Sequence, residues 1–237
     1  MNTLTAKKAL VLGGSRGIGA AIVNRLSAEG ADLTFTYAGS AQAAKALADS
    51  TASQAVQVDS SERDQLTAFI DSQGPLDILV INAGTLLMGD PLTLAADDVD
   101  RMIDINVRAP YHAAVAAARQ MKDGGRIIVI GSVNGDRMPM AGASAYALTK
   151  SALQGMVRGL ARDLGERGIT VNNVQPGPVD TDMNPAEGPF SELMHSFMAI
   201  KRHGKPEEIA ALVAFLAGPE AGYITGAQHT IDGGFGA

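Results

Sequence analysis

The stretch LVLGGSRGIGAAIV, residues 10–23, passes from an apolar run into a helical pattern through Gly13, Gly14, Gly17 and Gly19. A strand that turns on glycines into a helix lets backbone approach a bound anion closely. The unpaired N–H groups and dipole of the helix amino terminus then favour a pyrophosphate there. A loose glycine pattern is weak evidence, but the strand-turn-helix setting makes a dinucleotide site the leading reading over a bare tight turn.

The rest of the chain repeats the alternation. KALVL (8–12), ADLTFTY (31–37), AVQV (55–58), LDILVI (76–81), GRIIVI (125–130), ITVNNV (169–174) and AQHTI (227–231) read as seven strands. Most are too apolar for a sheet with one wet face, which is the mark of buried parallel strands. Helical patterns separate them at 17–29, 40–50, 61–72, 95–121 (two helices), 143–167 and 206–217. The expected fold is α/β: a Rossmann-like, doubly wound, seven-stranded parallel sheet with helices on both faces. No linker or repeat divides residues 1–237, so one domain is expected. The segment PGPVDTDMNPAEGPF (176–190) is proline-rich and leads into FSELMHSFM (190–198). An excursion of this kind inside a compact fold predicts a substrate lid at about 183–200.

Composition narrows the classes further. Hydrophobic residues make up 46% of the 237, enough for a large core, and 27 glycines are well above ordinary usage. The net charge of −6, without a basic stripe, argues against a DNA or RNA partner. Cysteine is absent, so disulfides and thiolate metal sites are excluded. The histidines, His112, His195, His203 and His229, show no metal-ligand spacing, and no metal is expected. No segment reads as a signal peptide or a membrane span, which leads to the expectation of a cytoplasmic protein.

With these elements placed, the motifs resemble the short-chain dehydrogenase/reductase family along the whole chain. Gly13-Gly14-Ser15-Arg16-Gly17-Ile18-Gly19 is similar to that family's glycine turn, with Leu12 where a threonine is usual. Asp59 stands where the family's aspartate contacts adenine. Asn82-Ala83-Gly84 resembles its N-A-G segment, with Ile81 in place of a common second asparagine. Asn106 in DINVRAP, Ser132 at the end of the fifth strand, and Tyr146 with Lys150 in SAYALTK resemble its four catalytic residues. Ser132 and Tyr146 are one position further apart than is commonest. Pro176, Gly177, Val179 and Thr181 resemble the segment beside the nicotinamide.

The resemblance implies a nicotinamide-dependent oxidoreductase acting on a ketone or aldehyde. Tyr146 would protonate the carbonyl oxygen, Lys150 would lower the phenol's pKa and hold the ribose, and Ser132 would polarise the substrate. Asn106 would support a proton-relaying water. The chemistry is consistent with the residues. Free tyrosine titrates near pH ~10, and a lysine one helical turn along stabilises its phenolate. Near the second strand's end stand Tyr37 and Ser40 with no carboxylate, and Arg16 supplies a cation. Together they predict NADP(H) over NAD(H), unless Arg16 is merely solvated and Ser40 only caps a helix.

For the substrate wall the candidates are Leu86, Leu87, Met88, Met138, Met140, Met183, Phe190, Met194 and Phe197, which are equally readable as core or interface residues. FTYAGS (35–40), GSVNGDRMP (131–139) and HSFMAIKRHG (195–204) also resemble a bacterial branch of the family that binds cyclic-di-GMP and regulates biofilm dispersal. Arg101-Met-Ile-Asp104 and the Arg158/Arg162 pair are the arginines available for such a ligand, although surface charge is the plainer role for both. The small residues of AAVAAARQM (113–121) permit close helix packing, and the resemblance implies a homotetramer or dimer.

Overall fold

A computed structural model describes residues 3–237. Seven strands form a single parallel sheet in the order β3-β2-β1-β4-β5-β6-β7. They are β1 (Lys8–Leu12), β2 (Asp32–Tyr37), β3 (Gln54–Gln57), β4 (Ile78–Ile81), β5 (Arg126–Ile130), β6 (Thr170–Pro176) and β7 (Gln228–Ile231). The helices are α1 (Gly17–Ala28), α2 (Ala41–Thr51), α3 (Arg63–Ser72), α4 (Ala96–Ile103), α5 (Ala109–Gln120), α6 (Ser144–Leu164), α7 (Ser191–Phe197) and α8 (Pro206–Ala217). This is the doubly wound, Rossmann-like architecture anticipated from the strand pattern.

Side chains leave successive strand residues on opposite faces, and the two cores follow from that alternation. Ala9, Val11, Ile78, Val80, Ile128 and Ile130 pack toward α1 and α8. Leu10, Leu12, Leu79, Ile81, Ile127 and Val129 pack toward α3, α5 and α6. Because both faces are covered, central strands such as IIVI carry no alternation between apolar and polar residues.

The chain reverses its direction of strand addition between β1 and β4, which are neighbours in the sheet. At such a switch point the loops beyond the strand ends diverge and leave a crevice. The expected pair of helices across 95–121 is present, but α4 and α5 are joined without a break by one π turn, Asp104–Arg108. A π turn widens the helix locally and often marks a functional position; here it carries Asn106.

The stripe that α6 buries runs through Thr149, Lys150, Leu153, Val157, Leu160 and Ala161. Its three- and four-residue steps are those of a helix with one covered face. Lys150 thus lies in line with core leucines, which sets up its chemistry. Within the irregular region 176–205 the structure places the short helix α7. Val133, Met198 and Phe235 form a small separate core with Phe197 packed against it. Among the described residues, no helix is long and apolar enough to cross a membrane.

Candidate active site

A cleft of about 590 Å³ opens at the switch point. Gly13, Ser15, Arg16, Gly17 and Ile18 form one wall; Tyr37, Ser40 and Asp59 line one end, and Asn82, Ala83 and Gly84 the floor. Tyr146, Lys150 and Thr181 line the other end. Loops far apart in sequence therefore meet around one space of dinucleotide size.

The glycine turn is held by neighbours on both sides. Gly13 has φ +77°, and a Cβ there would lie 2.7 Å from the Ala83 Cα, so only glycine fits this crossing. Asn82 donates Nδ2–H to the Gly13 carbonyl at 2.7 Å. On the other side the Gly13 N–H reaches Thr36 Oγ1 at 3.0 Å, and the Gly14 N–H reaches the Thr36 carbonyl at 2.8 Å. Leu12 removes the usual bracing threonine, and Thr36 on β2 supplies a hydroxyl brace. Its signal was a threonine inside an apolar strand, since a buried hydroxyl requires a partner. Gly19 stays off the cleft and packs instead, because any Cβ on it would meet the Gly13 carbonyl.

Asp59 accepts from the Ser61 N–H and hydroxyl at 2.9 and 2.8 Å, and the Ser61 backbone bond leads in holding its carboxyl below the usual range. Arg101 approaches the same carboxylate at 3.5 Å, while Asp104 pairs with Arg108 at 2.8 Å. The R-x-x-D pattern therefore does not act as a unit. Arg16 is exposed and its Nη1 lies 3.9 Å from Asp182 Oδ2 across the cleft mouth. So loose a surface pair binds weakly, leaving the guanidinium available to an incoming phosphate.

At the other end, Ser132 caps a short turn by accepting the Asn134 N–H at 3.1 Å, and its hydroxyl reaches the Tyr146 phenol. Lys150 is buried; its Nζ donates to the Ile130 carbonyl at 3.2 Å and lies 5.7 Å from the Tyr146 ring centroid. Burial pushes Lys150 down to about 8. Burial also pushes the Tyr146 phenol up, with the Ser132 hydrogen bond pulling the other way. The expected downward tuning counted on Lys150 together with the positive charge of an oxidised nicotinamide. Desolvation of both groups outweighs their attraction in this cleft, so the tuning needs a further positive charge.

Asn106 is buried in the π turn and does not line the cleft directly. Its amide bonds Thr85 and Thr149, two residues that the motifs did not mark. Thr85 engages through its backbone, for which sequence carries no signal. Thr149 was visible only as a hydroxyl on an otherwise apolar helix stripe.

Other expectations are redrawn by the geometry. Pro176, Gly177 and Val179 stand behind the wall; Val179 is buried in the core with α8, and Gly177 packs against Asp232. Of the proposed substrate wall only Met183 lines the cleft. Leu86, Met138, Met140 and Phe190 are not part of the lining of this cleft, and Met183 and Phe190 are each 63% exposed. His195 in α7 and His203 in the segment after it meet with Nε2 and Nδ1 2.8 Å apart. Among the described residues, no group of three or more His, Cys, Asp or Glu could hold a metal ion.

A parallel sheet with its crevice at the switch point, a glycine turn on one side and a Ser-Tyr-Lys set on the other define a nicotinamide-type oxidoreductase scaffold. The chain belongs to the short-chain dehydrogenase/reductase family: residues 13–236 match the family model for enoyl-(acyl carrier protein) reductase. It is 63% identical, over the full length of both chains, to the cyclic-di-GMP-binding biofilm dispersal mediator protein of Escherichia coli strain K12. The crystal structure of BdcA in complex with NADPH superimposes with a TM-score of 0.98 at 63% identity, covering 99% of this chain and 96% of that one. The 3-oxoacyl-[acyl-carrier-protein] reductase MabA of Mycobacterium bovis is 37% identical over 98% of this chain and 93% of its own.

Proposed function

We propose that this protein is an NADPH-dependent oxidoreductase that reduces a ketone or aldehyde, with Tyr146 as general acid. The observation that carries the reading is the meeting of Tyr146, Ser132 and Lys150 at the end of a cleft whose other wall is the glycine turn. The residues fit the cofactor: the amino terminus of α1 carries no side-chain cap where the glycine turn lines the cleft, and residues 37–40 at the end of β2 include no carboxylate to repel a 2′-phosphate. A relative with 63% identity was crystallised with NADPH, which supports the same choice here.

Gly13, Ser15, Gly17 and Ile18 would hold the pyrophosphate, Arg16 and Ser40 the 2′-phosphate, and Asp59 the adenine. Asn82, Ala83, Gly84 and Thr181 would flank the ribose and nicotinamide. When bound, the nicotinamide supplies the hydride. Ser132 holds the carbonyl oxygen with its hydroxyl, Tyr146 delivers its proton to that oxygen, and Lys150 stabilises the resulting phenolate. A lid at about 183–200, a single catalytic domain, assembly into a dimer or tetramer and a cytoplasmic location complete the proposal.

The test is NADPH oxidation, followed by its absorbance, across a panel of ketones and aldehydes. Absence of turnover with every class, in protein that binds NADPH, would count against a reductase. A second reading is favoured by the name of the E. coli relative: a cyclic-di-GMP-binding regulator on the same scaffold. The cleft offers Arg16 and Arg101 to a bis-phosphate. Calorimetry with cyclic-di-GMP, with and without saturating NADPH, separates the two. No heat at micromolar ligand removes the regulator reading, and competition by NADPH places the ligand in the cleft.

A further inference from the structure

Asn106 is 1% exposed, and its partners dictate which way its amide faces. Thr85 presents a backbone N–H 2.9 Å from Oδ1 and a carbonyl 2.8 Å from Nδ2. A flipped amide would set donor against donor and acceptor against acceptor, so one orientation survives. One Nδ2 hydrogen remains, and it meets Thr149 Oγ1 at 3.1 Å. Thr149 must accept there, and its own proton goes to the Tyr146 carbonyl at 2.8 Å. Donors thus run one way, from Asn106 through Thr149 to the backbone of Tyr146. Thr149 is 0% exposed, so water cannot replace these bonds without rearrangement.

The arrangement decides what Asn106 shows to Lys150. Both Nδ2 hydrogens and one Oδ1 lone pair are occupied, which leaves the second Oδ1 lone pair. Oδ1 and Lys150 Nζ flank one point beside Gly84, lying 3.4 and 3.6 Å from where a Cβ on that residue would stand. Asn106 therefore keeps an acceptor on the side of Gly84 where the ammonium stands, and an acceptor that reaches it through a water favours the charged lysine.

We propose that Thr149 is a positioning residue: its hydroxyl takes the Nδ2 hydrogen that Thr85 leaves and so ties the first turn of α6, with Tyr146 and Lys150, to Asn106 and the segment following β4. Without that hydroxyl, an Nδ2 hydrogen is unpaired in the core and α6 loses its tie to Asn106, so Lys150 is no longer held beside the acceptor on that amide. The consequence for turnover rests on the reductase reading; the consequence for Lys150 does not.

The experiment titrates Lys150 in the full chain by heteronuclear NMR of the lysine ε-methylenes, its signal assigned by loss in Lys150→Met. Thr149→Val should lower the Lys150 midpoint by about half a pH unit or more, and Thr149→Ser should restore it. In parallel, reduction of diacetyl by NADPH should slow about tenfold or more in the valine variant, with NADPH affinity within about twofold. If wild type does not reduce diacetyl, that bears on the reductase reading, and the titration still decides the role of Thr149. A valine variant that merely melts earlier with the midpoint unmoved overturns the proposal, as does a serine variant that fails to restore it. Should valine not fold, Thr149→Cys, whose thiol hydrogen-bonds poorly, carries the same expectation and the same refutation.

Discussion

Lys150 Nζ stands 5.7 Å from the centroid of the Tyr146 ring and 3.2 Å from the Ile130 carbonyl, enclosed by protein. One turn of α6 therefore carries a phenol and an ammonium that burial drives in opposite directions, Tyr146 up and Lys150 down to about 8. Burial disfavours the charged form of each, and Lys150 at about 8 still carries its proton at pH ~7. The predictions below follow from this cleft.

Replacing Tyr146 with Phe removes the proton donor and leaves the ring. Turnover should fall by about 10³-fold or more, while NADPH affinity by fluorescence titration stays close to wild type. Retained turnover would remove Tyr146 from the mechanism.

Lys150 makes stability depend on pH. Its pKa is 10.5 when unfolded and about 8 when folded, so between these values the unfolded chain binds more protons and stability rises with pH. Below pH ~8 both forms are protonated and the full cost of burying the ammonium, about 3 kcal/mol, applies. Lys150→Met should therefore stabilise the ligand-free protein at pH ~7 and lose that advantage as pH approaches ~10. Urea denaturation of both proteins at the two values checks it; an advantage that grows with pH would contradict the assignment.

Arg16 is the exposed cation of the glycine turn, engaged among the described residues by the long contact to Asp182. Arg16→Ala should weaken NADPH by about tenfold or more, the loss of a charge-assisted contact to phosphate, and leave NADH nearly unchanged. Equal loss for the two cofactors would separate Arg16 from the 2′-phosphate.

Thr36 braces the Gly13 N–H from β2 and is 1% exposed. Thr36→Val preserves shape but strands that N–H. The expected cost is about 1–2 kcal/mol of stability in denaturant unfolding, with NADPH affinity reduced more than in Thr34→Val. Equal cofactor affinity in the two variants would show that the brace does not shape the turn.

Sequence by itself determined the sheet, the glycine turn and the Tyr146–Lys150 step, while Ser132 was marked by the family resemblance. These rest on local rules: apolar strands alternating with helical periodicity, glycine where backbone must cross, and a four-residue step that places two side chains on one helix face. Tertiary structure alone decided how they are held. Thr36 reaches Gly13 across two strands, Thr85 and Thr149 orient Asn106 from either side, and Val179 turns into the core. It also brought His195 against His203. Apart from the histidine pair, these contacts join residues more than twenty positions apart, and several engage backbone N–H and carbonyl groups common to nearly every residue. Even the state of the Tyr146–Lys150 pair was settled this way, because the spacing of SAYALTK sets their proximity while only burial sets the direction of their pKa values.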